Sequence, residues 1–145
     1  MSFRGSEERA AEVNADDIFV LSSQALELYR QQRLEEALAV FDKLLALSPN
    51  AVEAHYNRAT ILGSLDRFDE ALTSYDKVLA LKPDFVFALN NRGWLLQKLR
   101  RYDDALASYD KALAIAPDYT AAKGNRDLLL RAQKQAAGAA ADAPT

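Results

Sequence analysis

Three stretches of this chain read almost alike at a constant spacing: VFDKLLALSPN ending at Asn50, SYDKVLALKPD ending at Asp84 and SYDKALAIAPD ending at Asp118, thirty-four residues from one to the next. Blocks of that length run 18–51, 52–85 and 86–119 without a gap, and a partial fourth begins at Thr120. A unit this short cannot bury an apolar face alone, so repeating it builds a core only if each copy stacks on its neighbour. The chain has 145 residues. That is enough for one such array and too few for two independent domains.

Each block holds two segments with apolar residues three and four apart, the spacing of a helix and not of a strand. In the second block they cover about Val52 to Leu65 and Phe68 to Leu81. The second segment of every block carries one stripe: Ala37, Leu38, Phe41, Leu45, then Ala71, Leu72, Tyr75, Leu79, then Ala105, Leu106, Tyr109, Leu113. A small residue one turn before an aromatic lets a neighbouring helix approach while the ring fills the space beyond. Pro49, Pro83 and Pro117 then stop the helix, because proline lacks an amide proton and disfavours helical geometry before it. Asn50, Asp84 and Asp118 follow, and these residue types suit a cap on the next helix.

Alanine, aromatic and proline at these offsets, repeated every thirty-four residues, resemble the tetratricopeptide repeat. The resemblance covers 18–119 and implies an all-α fold, a right-handed α-solenoid of antiparallel helix pairs. It also implies that first helices line a concave groove and second helices form the convex back. The usual aromatic near the start of each first helix is replaced by Leu21, His55 and Leu89, and the usual leucine three residues on by Gln24, Arg58 and Arg92. Those arginines are expected to pair with acids such as Asp76 or Asp110. Residues 120–135 resemble a first helix without its partner, a capping helix with a polar outer surface. Residues 136–145 have little to bury and are expected to be a disordered tail, and 1–14 are expected to be an N-terminal tail, disordered or forming one helical turn.

Composition removes several kinds of chemistry. There is no cysteine, hence no disulfide, thiolate metal site or cysteine nucleophile. His55 is the only histidine, so no two-histidine metal site can form, and it is expected to be a packing residue satisfied by its neighbours. The acid pairs Glu35/Glu36, Asp69/Glu70 and Asp103/Asp104 recur in register at the start of each second helix, where they complement the helix dipole and do not suggest catalysis. Arg33, Arg67 and Arg101 recur in the same way and are read as cations at helix ends. A net charge of -3 with interspersed signs argues against nucleic acid and anionic membrane as partners. No secretory or membrane-spanning stretch is visible, and a cytoplasmic location is expected. Nothing implies a catalytic group, a metal or a cofactor, so a non-enzymatic protein is expected.

What remains is a surface. Projected onto the first helices, Tyr56, Asn57 and Thr60 in the second repeat share a face, as do Phe87, Asn90, Asn91, Trp94 and Lys98 in the third. Asn57, Asn91 and Asn125 recur thirty-four residues apart inside helices, where asparagine is a poor choice. An amide both donates and accepts, so such a row can hold an extended peptide by its backbone. It is similar to the asparagine ladder of protein O-glycosyltransferase repeats, although the first repeat has Ser23 there. The competing role for the row is structural bonding between adjacent repeats. Positions that would be basic in the family's carboxylate clamp for chaperone tails hold Ser22, Phe87 and Asn91, and only Asn57 fits. The expectation is therefore a scaffold that binds a peptide or helix of a partner protein in its groove, without the chaperone-tail clamp. Homo-oligomeric assembly and the repeat region of a larger transferase stand as alternatives.

Overall fold

The computed structural model describes residues 3–144, with side chains from Ala15 onward. Among the described residues there are seven helices and no strand: α1 (Phe3–Arg30), α2 (Leu34–Leu47), α3 (Val52–Ser64), α4 (Phe68–Leu81), α5 (Val86–Lys98), α6 (Tyr102–Ile115) and α7 (Thr120–Ala141). The fold is all-α, as expected. Contacts divide the chain into two units, Met1–Leu81 and Lys82–Thr145.

In the first unit α1 packs on α2, α2 on α3 and α3 on α4. Its core is Ala25, Ala37, Phe41, Leu44, Ala59, Leu62, Ala71, Tyr75 and Val78, all nearly or fully buried. In the second unit α5 packs on α6, and both touch α7. Ala88, Leu95, Leu96, Ala105, Tyr109, Ala112, Ala122 and Leu129 form its core. The stripe read from the sequence is right in its first three members, except that Leu106 in the third copy is only half-buried, and one residue late in its last. Leu44, Val78 and Ala112 are fully buried, whereas Leu45, Leu79 and Leu113 are half-buried, because at 3.6 residues per turn the fourth contact after the aromatic falls three residues on.

Each pair turns through one left-handed residue, Gln32 (φ 62), Asp66 (φ 58) or Arg100 (φ 59). The next amide reaches back five residues to the first helix, Arg33 to Leu28, Arg67 to Leu62 and Arg101 to Leu96, at 2.9, 2.9 and 2.8 Å. This is the Schellman closure, built here without glycine. Arg33, Arg67 and Arg101 then pair with the acid three residues on, Glu36, Glu70 and Asp104, at 2.5, 2.8 and 2.8 Å. The arginines read as dipole partners of the preceding helix are thus ion-paired into the start of the following one. The Arg33 and Arg67 hydrogen bonds hold the Glu36 and Glu70 carboxyls below the usual range.

Three further expectations differ from the structure. The residue capping α3, α5 and α7 is Ala51, Phe85 or Tyr119, with no side-chain cap bond. Asn50, Asp84 and Asp118 stand one residue earlier, inside a turn closed by Ala51 to Ser48, Phe85 to Lys82 and Tyr119 to Ala116. The segment 3–14, expected as a tail, continues α1, and residues 1 and 2 lie outside the described residues. Likewise α7 runs on past residue 135 to Ala141. Both extensions are rich in alanine and long straight side chains, which propagate a helix once tertiary packing has nucleated it.

Candidate functional site

The arginines at the departed leucine positions have a structural role. Arg58 on α3 donates through Nε to Asp42 of α2 at 2.7 Å and through Nη1 to Ser74 of α4 at 2.8 Å. In register, Arg92 reaches Ser108 at 2.9 Å and Arg126 reaches Asp110 at 2.5 Å. One guanidinium fork serves two helices, which a leucine cannot do. His55 donates Nε2–H to the Pro49 carbonyl at 2.7 Å, a satisfied packing histidine. Among the described residues no cluster of His, Asp and Glu could hold a metal, and no helix is long and apolar enough to cross a membrane.

The candidate binding residues divide between the two units. On α3, Tyr56 lies edge-on to buried Tyr75, ring centres 5.9 Å apart. Thr60 gives its proton to the Tyr56 carbonyl at 3.0 Å and so accepts from the Tyr75 hydroxyl, also at 3.0 Å. Thr60 therefore serves the hairpin more than the surface. Asn57 is half-buried on the same helix.

In the second unit Phe87, Asn91, Trp94 and Lys98 follow the four-, seven- and eleven-residue steps of one face of α5. Phe87 is 50% exposed and Trp94 40% exposed. Phe87 meets Tyr119 edge-on at 5.5 Å, and the Lys98 ammonium sits 5.1 Å from the centre of the Trp94 ring, a cation–π contact. Asn90 differs from the expectation: it is 6% exposed. It donates to Asn91 Oδ1 at 3.4 Å and accepts from Asn125 Nδ2 at 2.9 Å. The amides of α5 and α7 are thus linked through a buried asparagine, which adopts part of the structural role weighed above. That bond uses Asn125 Nδ2 and not its Oδ1.

Beyond Trp94 a cavity of about 420 Å³ opens between the end of α5, the start of α6 and the second half of α7. Trp94, Lys98, Arg100 and Tyr102 form one side, and Leu129 and Ala132 the other. Sequence reading missed it, because its wall depends on the length of α7. The run QKLRRY, with three cations around Leu99, was the one visible signal.

Family models for the tetratricopeptide repeat match residues 23–85 and 86–119. Among curated proteins, none matches the sequence. Solved structures similar to the chain include the first TPR of Spaghetti (RPAP3) bound to HSP90 peptide SRMEEVD, at 21% identity over 82% of this chain and 94% of that one, TM-score 0.78. The Arabidopsis OM64 TPR domain is similar at 23% identity over 80% and 96%, TM-score 0.76. The MamA RS-1 ArsTM double mutant is similar at 27% identity over 83% and 67%, TM-score 0.77. With the thirty-four-residue period, the buried alanine–aromatic pairs and both family matches in agreement, the chain belongs to the tetratricopeptide-repeat family.

Proposed function

We propose that the protein is a non-enzymatic interaction scaffold that holds an extended segment of a partner protein against the α5 face. The observation that carries the reading is the exposure of Phe87 and Trp94, 50% and 40%, on one face of a helix whose other side is core. Large aromatics supply contact area at small entropic cost and recur as binding anchors. Asn91 and Asn125 supply amide groups for a peptide backbone; in the other unit, taken by itself, α3 offers the Asn57 amide beside the Tyr56 ring. The structure of the RPAP3 repeat with a bound peptide supports the class of activity.

The test is the double substitution Asn91→Ala with Trp94→Ala. Partner capture should fall at least tenfold while helicity and unfolding temperature stay close to the parent, since both residues are partly exposed. Undiminished capture by a folded double variant would remove the assignment.

A further inference from the structure

The cavity beyond Trp94 has a chemistry of its own. Lys98 and Arg100 both line it, and among the described lining residues none is acidic. Neither cation has a carboxylate partner among the described residues, in contrast to Arg101 next in sequence, which is paired with Asp104. Lys98 rests on the Trp94 ring, which fixes its charge at the cavity mouth. Arg100 is held at the mouth by the hairpin turn, where its φ of 59° and the Arg100-to-Gln97 bond of 3.0 Å set the backbone. Between them Trp94 and Tyr102 offer ring surface, both about 40% exposed, and Leu129 with Ala132 forms an apolar wall. Gln97 Oε1 accepts from the Tyr109 hydroxyl at 3.1 Å, leaving its side-chain amide nitrogen as a donor. A space of about 420 Å³ lies within the range of small-ligand pockets and holds one large side chain with its neighbours.

We infer that this cavity is a subsite for an acidic, aromatic-bearing segment of the partner: a large apolar side chain enters between Trp94 and Leu129, and carboxylates beside it pair with Lys98 and Arg100. The inference rests on the α5 face being the interaction surface and deepens it by naming the partner's chemistry. Two cations without a carboxylate partner among the described residues, flanking a hollow with one apolar wall, penalise a basic segment and favour an acidic one, because like charges at this range repel and a desolvated carboxylate needs a cation.

Trp94 is the only tryptophan in the chain, so its emission reports on the cavity directly. The probes are three blocked decapeptides, Gly-Ser-Gly-Glu-Phe-Glu-Gly-Ser-Gly-Ser and its Lys-Phe-Lys and Ser-Phe-Ser counterparts, titrated into the full chain at low salt. The acidic peptide should shift Trp94 emission saturably and bind at least tenfold more tightly than the basic one. Lys98→Glu with Arg100→Glu, both exposed and confirmed folded by circular dichroism, should reverse that order. The single changes Lys98→Gln and Arg100→Gln should each narrow the gap. Equal binding of all three peptides would overturn the charge assignment while leaving the α5 surface standing. Silence of Trp94 with every peptide, while the Asn91/Trp94 double variant still loses its partner, would overturn the cavity alone. Emission that changes with protein concentration in the absence of peptide would overturn it in favour of a second copy as occupant.

Discussion

Gly93 lies so close to Tyr109 that a methyl group on its α-carbon would come within 2.6 Å of the ring's Cε1 and 2.8 Å of Cδ1. Tyr109 cannot yield easily. It is fully buried, and its hydroxyl is bonded to Gln97 on the same helix as Gly93. The register equivalents of Gly93 are Ala59 and Ala25, so the third hairpin has no side chain at the place where the others carry a methyl group. Gly93→Ala should lower stability by about 1 kcal/mol, an overpacking cost of about 1–3 kcal/mol less about 1 kcal/mol of helix propensity. Gly124→Ala is the control: its added methyl meets nothing within 4 Å, and it should stabilise by up to about 1 kcal/mol. Denaturant midpoints that move in opposite directions for the two variants are the expected result.

Burial pushes the Tyr109 hydroxyl up to about 12 from its ordinary 10. Below pH 10 the phenol is neutral in folded and unfolded chains alike, and its full contribution is present. Between pH 10 and 12 the unfolded chain loses that proton first, so stability falls as pH rises and the contribution is gone above the folded value. The loss is on the order of 2 kcal/mol. Tyr109→Phe should show a shallower decline of denaturant midpoint from pH 9 to 12. Its stability at neutral pH should be about 1 kcal/mol lower, for the bond to Gln97.

Arg58 ties α2 and α4 to α3 through Asp42 and Ser74. Arg58→Ala should cost about 2 kcal/mol, and Ser74→Ala about 1 kcal/mol, since each removes charge-assisted bonds at a partly buried site. Combining the two should cost little more than Arg58→Ala alone, because the serine then has no guanidinium to lose. Additive losses in urea melts would show that the fork is not shared.

Gln32 holds a left-handed backbone with a β-carbon. Gln32→Gly relieves about 1–2 kcal/mol of local strain against about 0.5–1 kcal/mol of added unfolded-chain entropy. A net gain of about 0.5 kcal/mol is expected in thermal or urea unfolding, with the same sign for Asp66→Gly. Losses in both variants would contradict the Schellman reading of these turns.

Much of the fold was legible because it is periodic. Ala71 and Tyr75 announce the same contact as Ala37 and Phe41, so three copies vote on one geometry. The last buried position slipped by a residue because leucine pairs at 44/45 and neighbouring apolar residues at 78/79 look alike in sequence, and only packing chooses between them. Arg58 and Arg92 were visible as departures, yet the serines they bind give no signal of their own. The α5 face was readable from the spacing of Phe87, Asn91, Trp94 and Lys98. That Asn90 turns inward was not, since it depends on Asn125 arriving from α7. The cavity was least legible: its wall comes from a helix that outlasts the repeat pattern.

The most direct test of the α5 surface is site-specific photocrosslinking with benzoylphenylalanine placed at Phe87 or, as the control, at Ala107, which is exposed on α6. Illumination in extract should join a discrete partner to the chain carrying the probe at 87, at a yield at least tenfold above the chain carrying it at 107. Equal adducts at both positions, or adducts only at 107, would contradict the account.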